Sequence, residues 1–100
     1  MPRKDDRFTY LKEVELEFSS GKRAARISDI SAGGCYIDTI AQVPVGDPLK
    51  LQISVSDGES MVFDGKVAYL LDGFGFGVEF TDLTDDRREF LKRILTAASG

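Results

Sequence analysis

Residues 29–38 read DISAGGCYID, a stretch with the character of one strand ending, a turn, and a second strand beginning. Ile30 and Ile37 are strand-like residues on either side of a serine and two adjacent glycines. A plain two-residue hairpin turn needs only a pair such as Asn-Gly. This turn also contains an acid, a hydroxyl group and glycine backbone, which raises the question of whether it does more than connect two strands.

The segments around this turn predict about six short strands. EVELEF, residues 13–18, alternates strictly between apolar and acidic side chains, as a half-buried strand does. Asp57-Gly58 and Asp72-Gly73 predict tight hairpin turns. The predicted strands are EVELEF (13–18), AARISDI (24–30), CYIDTI (35–40), LKLQISV (49–55), MVFDGKVAYLL (61–71) and FGFGVEF (74–80), the last with Phe74, Phe76, Val78 and Phe80 on one face.

From Thr84 the period changes to that of a helix at about residues 84–98. Thr84 is a suitable N-cap, and Asp85 and Asp86 suit the positive end of the helix. We predict a mainly β protein, with a six-stranded antiparallel meander closed into a β-barrel because closure removes exposed edges, and a C-terminal α-helix. The barrel domain takes residues 13–100, and residues 1–12, without a clean period, form a flexible N-terminal arm.

The composition excludes several classes of function. The chain has 100 residues, of which 42% are hydrophobic, and it contains no histidine and one cysteine. A histidine-centred triad and a zinc site with imidazole ligands are therefore excluded. Cys35 has no histidine to activate it and is predicted to be buried as a small hydrophobe. We expect no enzymatic activity, cofactor or metal.

The chain carries no apolar run long enough to span a bilayer and no secretory signal pattern, and its lone cysteine fits a reducing compartment. We therefore expect a cytoplasmic protein that does not insert into a membrane. The net charge of −4 argues against a nucleic acid polymer as partner. However, residues 1–26 hold seven basic and five acidic residues, whereas residues 27–100 hold six and twelve. A basic quarter on an acidic body predicts a local anion site.

Arg3 and Arg7, in RKDDR, are the arginines that such a site would use. Taken alone, they are a solvated pair, and DISAGG is a turn whose side chains bond nearby backbone. Taken together, they offer more. The forked donors of arginine match phosphates and the O6/N7 edge of guanine, Asp29 and Ser31 can orient these groups, and glycine lets a ligand approach the backbone. This combination predicts an anionic ligand that carries guanine, held between arm and barrel.

Over nearly its whole length the chain resembles the PilZ domain family. The family pattern is RxxxR in an N-terminal arm, followed about twenty residues later by (D/N)xSxxG between two strands. Arg3 and Arg7 match the first motif, and Asp29, Ser31 and Gly34 match the second. The continuations GGCYID and GVEFTDLTDDRREFLKRIL are also similar to the family.

The resemblance implies a six-stranded barrel with a C-terminal helix, and binding of cyclic di-GMP (c-di-GMP). It also implies a bacterial effector that passes this second messenger to motility, exopolysaccharide or virulence machinery through a downstream protein that the sequence does not name. The implied roles are gripping guanine and phosphate for Arg3 and Arg7, lining the site for Asp29 and Ser31, keeping the turn open for Gly34, and support for Lys4 and Gly33.

Two other interpretations stay open. One is a PilZ-fold adaptor that binds protein and not nucleotide, although such members generally lack these motifs. The other is an unrelated small barrel for single-stranded RNA or a general anion, which the acidic net charge and the lack of interleaved basic and aromatic residues disfavour.

Overall fold

The computed structural model describes residues 7–40, 43–55, 58–71 and 73–99. Six antiparallel strands form a closed barrel, and one helix follows them, which confirms the predicted fold class. The elements are β1 (Phe8–Phe18), β2 (Gly21–Ile30), β3 (Gly34–Asp38), β4 (Pro48–Ser54), β5 (Ser60–Leu71), β6 (Gly75–Phe80) and α1 (Asp85–Ser99).

The strand order corrects the predicted meander. A simple meander would close by pairing its first strand with its last, but the order here is β1-β2-β3-β6-β5-β4. Two three-stranded meanders are therefore joined through the β3–β6 and β1–β4 pairs. The connection that enters β4 runs beside β5, where the Gly46 N–H donates to the Val67 carbonyl (2.7 Å) and the Val67 N–H donates to the Asp47 carbonyl (2.9 Å). These bonds place β4 on the side of β5 away from β6.

The start of β1 corrects the predicted boundary of the arm. Residues 8–12 belong to the strand, since Phe8 pairs with Ile30 and Thr9 with Asp29. The sequence of residues 8–12 does not show the usual alternation of apolar inward and polar outward side chains, because two positions are reversed. Leu11 points outward and is 64% exposed, while Lys12 takes a half-buried position.

The barrel interior is a single apolar core that the helix covers at one end. Phe63 stacks on Phe80 with ring centroids 5.1 Å apart and meets Phe90 of α1 edge-on at 6.0 Å. Phe74 is an exception to the predicted inward face, because β6 begins only at Gly75 and leaves Phe74 exposed in the preceding turn. The buried hydrophobic residues are Val14, Leu16, Phe18, Ile27, Ile30, Cys35, Ile37, Leu49, Leu51, Ile53, Phe63, Val67, Phe76, Val78, Phe80, Phe90, Leu91 and Ile94.

The first turn of α1 is fixed by a cap and an ion pair. The Thr84 hydroxyl accepts a hydrogen bond from the Arg87 N–H (3.3 Å), which confirms Thr84 as the N-cap. Arg87 also reaches back to β5, where it pairs with Asp64 at 3.0 Å, and Lys50 of β4 binds the other oxygen of the same carboxylate at 2.9 Å. Asp64 therefore connects the helix to two strands.

We expect Asp64→Asn to make the fold less stable at neutral pH and less sensitive to acid. The hydrogen bonds from Lys50 and Arg87 lower the pKa of Asp64 and outweigh its partial burial. A carboxyl whose pKa is lower in the folded chain stabilises the fold above its unfolded pKa and loses this effect as pH falls through the folded pKa. At pH 7 the free energy of unfolding of the variant should be about 1 kcal/mol lower than that of the wild type. This difference should disappear as the pH falls below about 4, as measured by urea unfolding.

Glu79→Gln is the matched control for Asp64→Asn. Glu79 pairs only loosely with Lys66, at 3.6 Å, and both side chains are at least half exposed. Such pairs contribute little to stability. An equal pH response of the two variants would contradict the role given to Asp64.

Candidate ligand-binding site

The turn between β2 and β3 is held together by Ser31. The Ser31 side chain is buried, and its hydroxyl oxygen accepts hydrogen bonds from the N–H groups of Gly33 (3.3 Å) and Gly34 (3.2 Å). The Ser31 N–H donates to the Gly34 carbonyl at 2.8 Å, and the hydroxyl lies 3.2 Å from the same oxygen. Within the described chain, the hydroxyl therefore shapes the turn by bonding nearby backbone.

The two glycines of the turn occupy different surroundings. A Cβ on Gly34 would overlap the Val78 carbonyl oxygen of β6 and lie 3.3 Å from the Glu79 Cα. Gly34 is thus required for the close approach of β3 to β6. A Cβ on Gly33 would meet nothing within 4 Å, so the space beside Gly33 is open.

Arg7 and Asp29, one from each motif, are in direct contact. The Arg7 Nη1 donates to the Asp29 Oδ1 at 2.7 Å, across 22 residues of sequence. The pairing of Thr9 with Asp29 brings this end of β1 alongside β2. Partial burial disfavours the charged form of Arg7, but the bond to Asp29 and the neighbouring groups outweigh it and raise the pKa of Arg7. The guanidinium is a fixed positive charge at the edge of the turn.

Two tyrosines that the sequence analysis did not single out lie beside this ion pair. Tyr36 pairs with Asp29 on one side and with Gly77 on the other, and Gly77 pairs with Tyr69 of β5. The two tyrosine rings lie 6.3 Å apart at an interplanar angle of 34°. The signal in the sequence was the alternation in GCYID, where buried Cys35 and Ile37 leave Tyr36 on the outer face.

A second ion pair joins β2 to β3 further along the ladder between them. Arg26 pairs with Asp38 at 3.3 Å, and these residues also oppose each other in the β2–β3 ladder. Asp29 and Asp38 therefore each have a cationic partner.

Cys35 is fully buried next to the turn, which confirms its predicted packing role. Burial raises the pKa of its thiol well above the ordinary value, and the charge of Asp29 acts in the same direction. The thiolate that nucleophilic chemistry requires is thus strongly disfavoured.

Arg3 and Lys4, also predicted as site residues, lie outside the described residues. Among residues 7–40, 43–55, 58–71 and 73–99, the structure brings together Arg7, Asp29, Ser31, Gly33 and Gly34. The described side chains contain no group of three or more acidic or cysteine residues placed to hold a metal. In the same part of the chain, no helix has the length and apolar character needed to cross a membrane.

The chain belongs to the PilZ domain family, since the model of the PilZ domain matches residues 2–97. This match covers both motifs and every element of the barrel. No protein of curated function matches the sequence significantly.

Solved structures share the fold at low sequence identity. The PilZ domain of CeSA from a cellulose-synthesizing bacterium is 17% identical with a TM-score of 0.74, and the match covers 95% of this chain and 99% of that one. The PilZ domain of YcgR from Escherichia coli, solved with c-di-GMP, is 14% identical with a TM-score of 0.77, over 99% of this chain and 92% of that one.

The inhibitor of motility MotI/DgrA from Bacillus subtilis is 15% identical with a TM-score of 0.79. That match covers 97% of this chain and 51% of the other, so the chain spans about half the length of MotI.

Proposed function

We propose that this protein is a receptor for c-di-GMP without enzymatic activity. The observation that carries the proposal is the 2.7 Å contact between Arg7 of the first motif and Asp29 of the second, at the turn that Ser31 and Gly34 shape. Membership of the PilZ family supports it, as does the similar fold of the YcgR domain, which was solved with c-di-GMP.

The ligand lies against the outer side of the turn, where Arg7 supplies charge. A guanidinium has five N–H donors, and the bond to Asp29 uses one of them. The others have no acceptor among the described residues, and the side chain is 44% exposed, so they are available to guanine and phosphate. Gly33 leaves room for the ligand beside the backbone.

Arg3 supplies the second guanidinium of the site, with support from Lys4. The segment that carries them closes over the ligand and becomes ordered on binding. This closure makes a surface that a downstream protein recognises in the cytoplasm. By analogy with the family, the output is control of motility, exopolysaccharide production or virulence, with biofilm formation among its consequences.

Calorimetric titration of the folded protein with c-di-GMP tests the proposal. We expect saturable heat with c-di-GMP and none with GTP or cyclic AMP at the same concentrations. Absence of heat and of amide chemical-shift changes at saturating c-di-GMP would favour the protein-binding adaptor instead.

A further inference from the structure

We propose that Tyr36 and Tyr69 form a stacking surface for a purine base on the outer face of the barrel, next to Arg7. The inference deepens the proposed function, because it assigns part of the ligand to β3 and β5, outside the two sequence motifs. The three strands concerned are adjacent in the barrel, in the order β3-β6-β5.

The two rings lie across glycine backbone. A Cβ on Gly77 would lie 2.9 Å from the Tyr69 Cδ1 and closer still to two other atoms of that ring, so the ring occupies the space above Gly77. A Cβ on Gly75 would lie 3.2 Å from the Tyr36 Cε1. Because β6 has no side chains at these two outward positions, the tyrosines can tilt over it and expose ring surface.

The need to cover the glycine backbone of β6 does not fully explain why the two tyrosine rings lie on the outer face. Tyr69 keeps 39% of its surface exposed, and its ring lies beside the half-buried ring of Tyr36 on the outer face instead of in the core. The exposed side chain of Leu71 follows on the same strand and pairs with Gly75, which extends the apolar surface. An aromatic ring whose face is open to water is a site where any base can stack, because every base has a π-face.

The position of Arg7 gives the surface its orientation. Arg7 bonds Asp29 at 2.7 Å, and Asp29 is directly opposite Tyr36 in the β2–β3 ladder, so the guanidinium lies at the Tyr36 end of the surface. A base that stacks on the tyrosines therefore presents its edge to the guanidinium. A forked donor at that edge selects guanine through O6 and N7. Stacking supplies affinity for purines, and Arg7 supplies the choice of guanine.

The test compares c-di-GMP binding by the wild type, Tyr69→Leu and Tyr69→Phe. Leucine keeps an apolar cover over Gly77 but lacks a π-face, whereas phenylalanine keeps the ring. We expect Tyr69→Leu to weaken binding about tenfold, within the range known for base–aromatic stacking, and Tyr69→Phe to stay within about twofold. The guanine H8 resonance should move upfield in complexes of the wild type and of Tyr69→Phe, and less in that of Tyr69→Leu.

The outcomes separate this inference from the receptor proposal. If the wild type binds c-di-GMP without an upfield shift of H8, or if Tyr69→Leu binds as tightly as Tyr69→Phe, the stacking surface is wrong while the receptor stands. If the wild type does not bind, both are overturned. Tyr69→Leu could lose affinity because the fold is destabilised, which a lower melting temperature would reveal. In that case the Tyr36→Leu variant and the H8 shift of the wild-type complex test the stacking surface, since neither alters the cover of Gly77. Wild-type affinity in Tyr36→Leu together with an unshifted H8 would overturn it.

Discussion

Gly34→Ala is expected to lower the melting temperature by more than about 10 °C, through a loss of at least about 2–3 kcal/mol. The added methyl group would overlap the Val78 carbonyl oxygen and crowd the Val78 carbonyl carbon at 3.0 Å, all of it backbone. Backbone in a sheet cannot move aside as a side chain can. The strands β3 and β6 would have to separate, and their pairing closes the barrel.

Gly33→Ala is the matched control, one residue earlier in the same turn. Its Cβ would meet nothing within 4 Å, so stability should change by less than about 1 kcal/mol. Thermal unfolding by circular dichroism measures both variants. Equal melting temperatures would show that the barrel tolerates a Cβ at Gly34. A loss of c-di-GMP affinity in Gly33→Ala at unchanged stability would place the ligand against the turn.

Local patterns predicted most of each element, because the strands carry their own alternation, although residues 8–12 of β1 do not show it. In β1, buried Val14, Leu16 and Phe18 face the core, as the period of two required. The helix was also predicted from local signals, since Thr84 caps it and the apolar residues Phe90, Leu91 and Ile94 are buried. These features depend on neighbours a few residues away, which a single sequence displays.

The pairing of distant strands could not be predicted from local sequence in the same way. Nothing in the alternation of β4 tells whether it lies beside β3 or beside β1, and the meander was wrong for this reason. The requirement for Gly34 also arises from Val78, 44 residues later, so the turn sequence alone suggested an open site where the structure has a tight strand contact.

The sequence motifs named the residues of the candidate site, and their roles in binding stay a prediction; the contacts between them could not be predicted. The motifs named Arg7 and Asp29 without indicating that they form an ion pair, and Ser31 was expected to face a ligand, although its hydroxyl bonds the turn. Tyr69 was missed because its relation to Tyr36 depends on two strand pairings through Gly77. The contribution of Arg3 stays a prediction.

Arg7→Ala is expected to weaken c-di-GMP binding at least about tenfold while leaving the fold almost as stable as before. Charge-assisted hydrogen bonds contribute about 1.5–3 kcal/mol each, and about 1.4 kcal/mol corresponds to a factor of ten in affinity. The ion pair with Asp29 adds little to stability, because the two side chains are 44% and 33% exposed. Calorimetric titration and thermal unfolding measure the two effects.

Arg23→Ala is the control for overall charge, because it removes one positive charge, as Arg7→Ala does, at another position of the barrel. Arg23 is exposed on β2, six residues from Asp29 or about 20 Å along the strand. If binding depended only on overall charge, both variants would lose affinity alike. If Arg7 acts by contact, Arg23→Ala should bind nearly as well as the wild type. A large fall in melting temperature for Arg7→Ala with unchanged affinity would instead make the Arg7–Asp29 pair a structural link between β1 and β2.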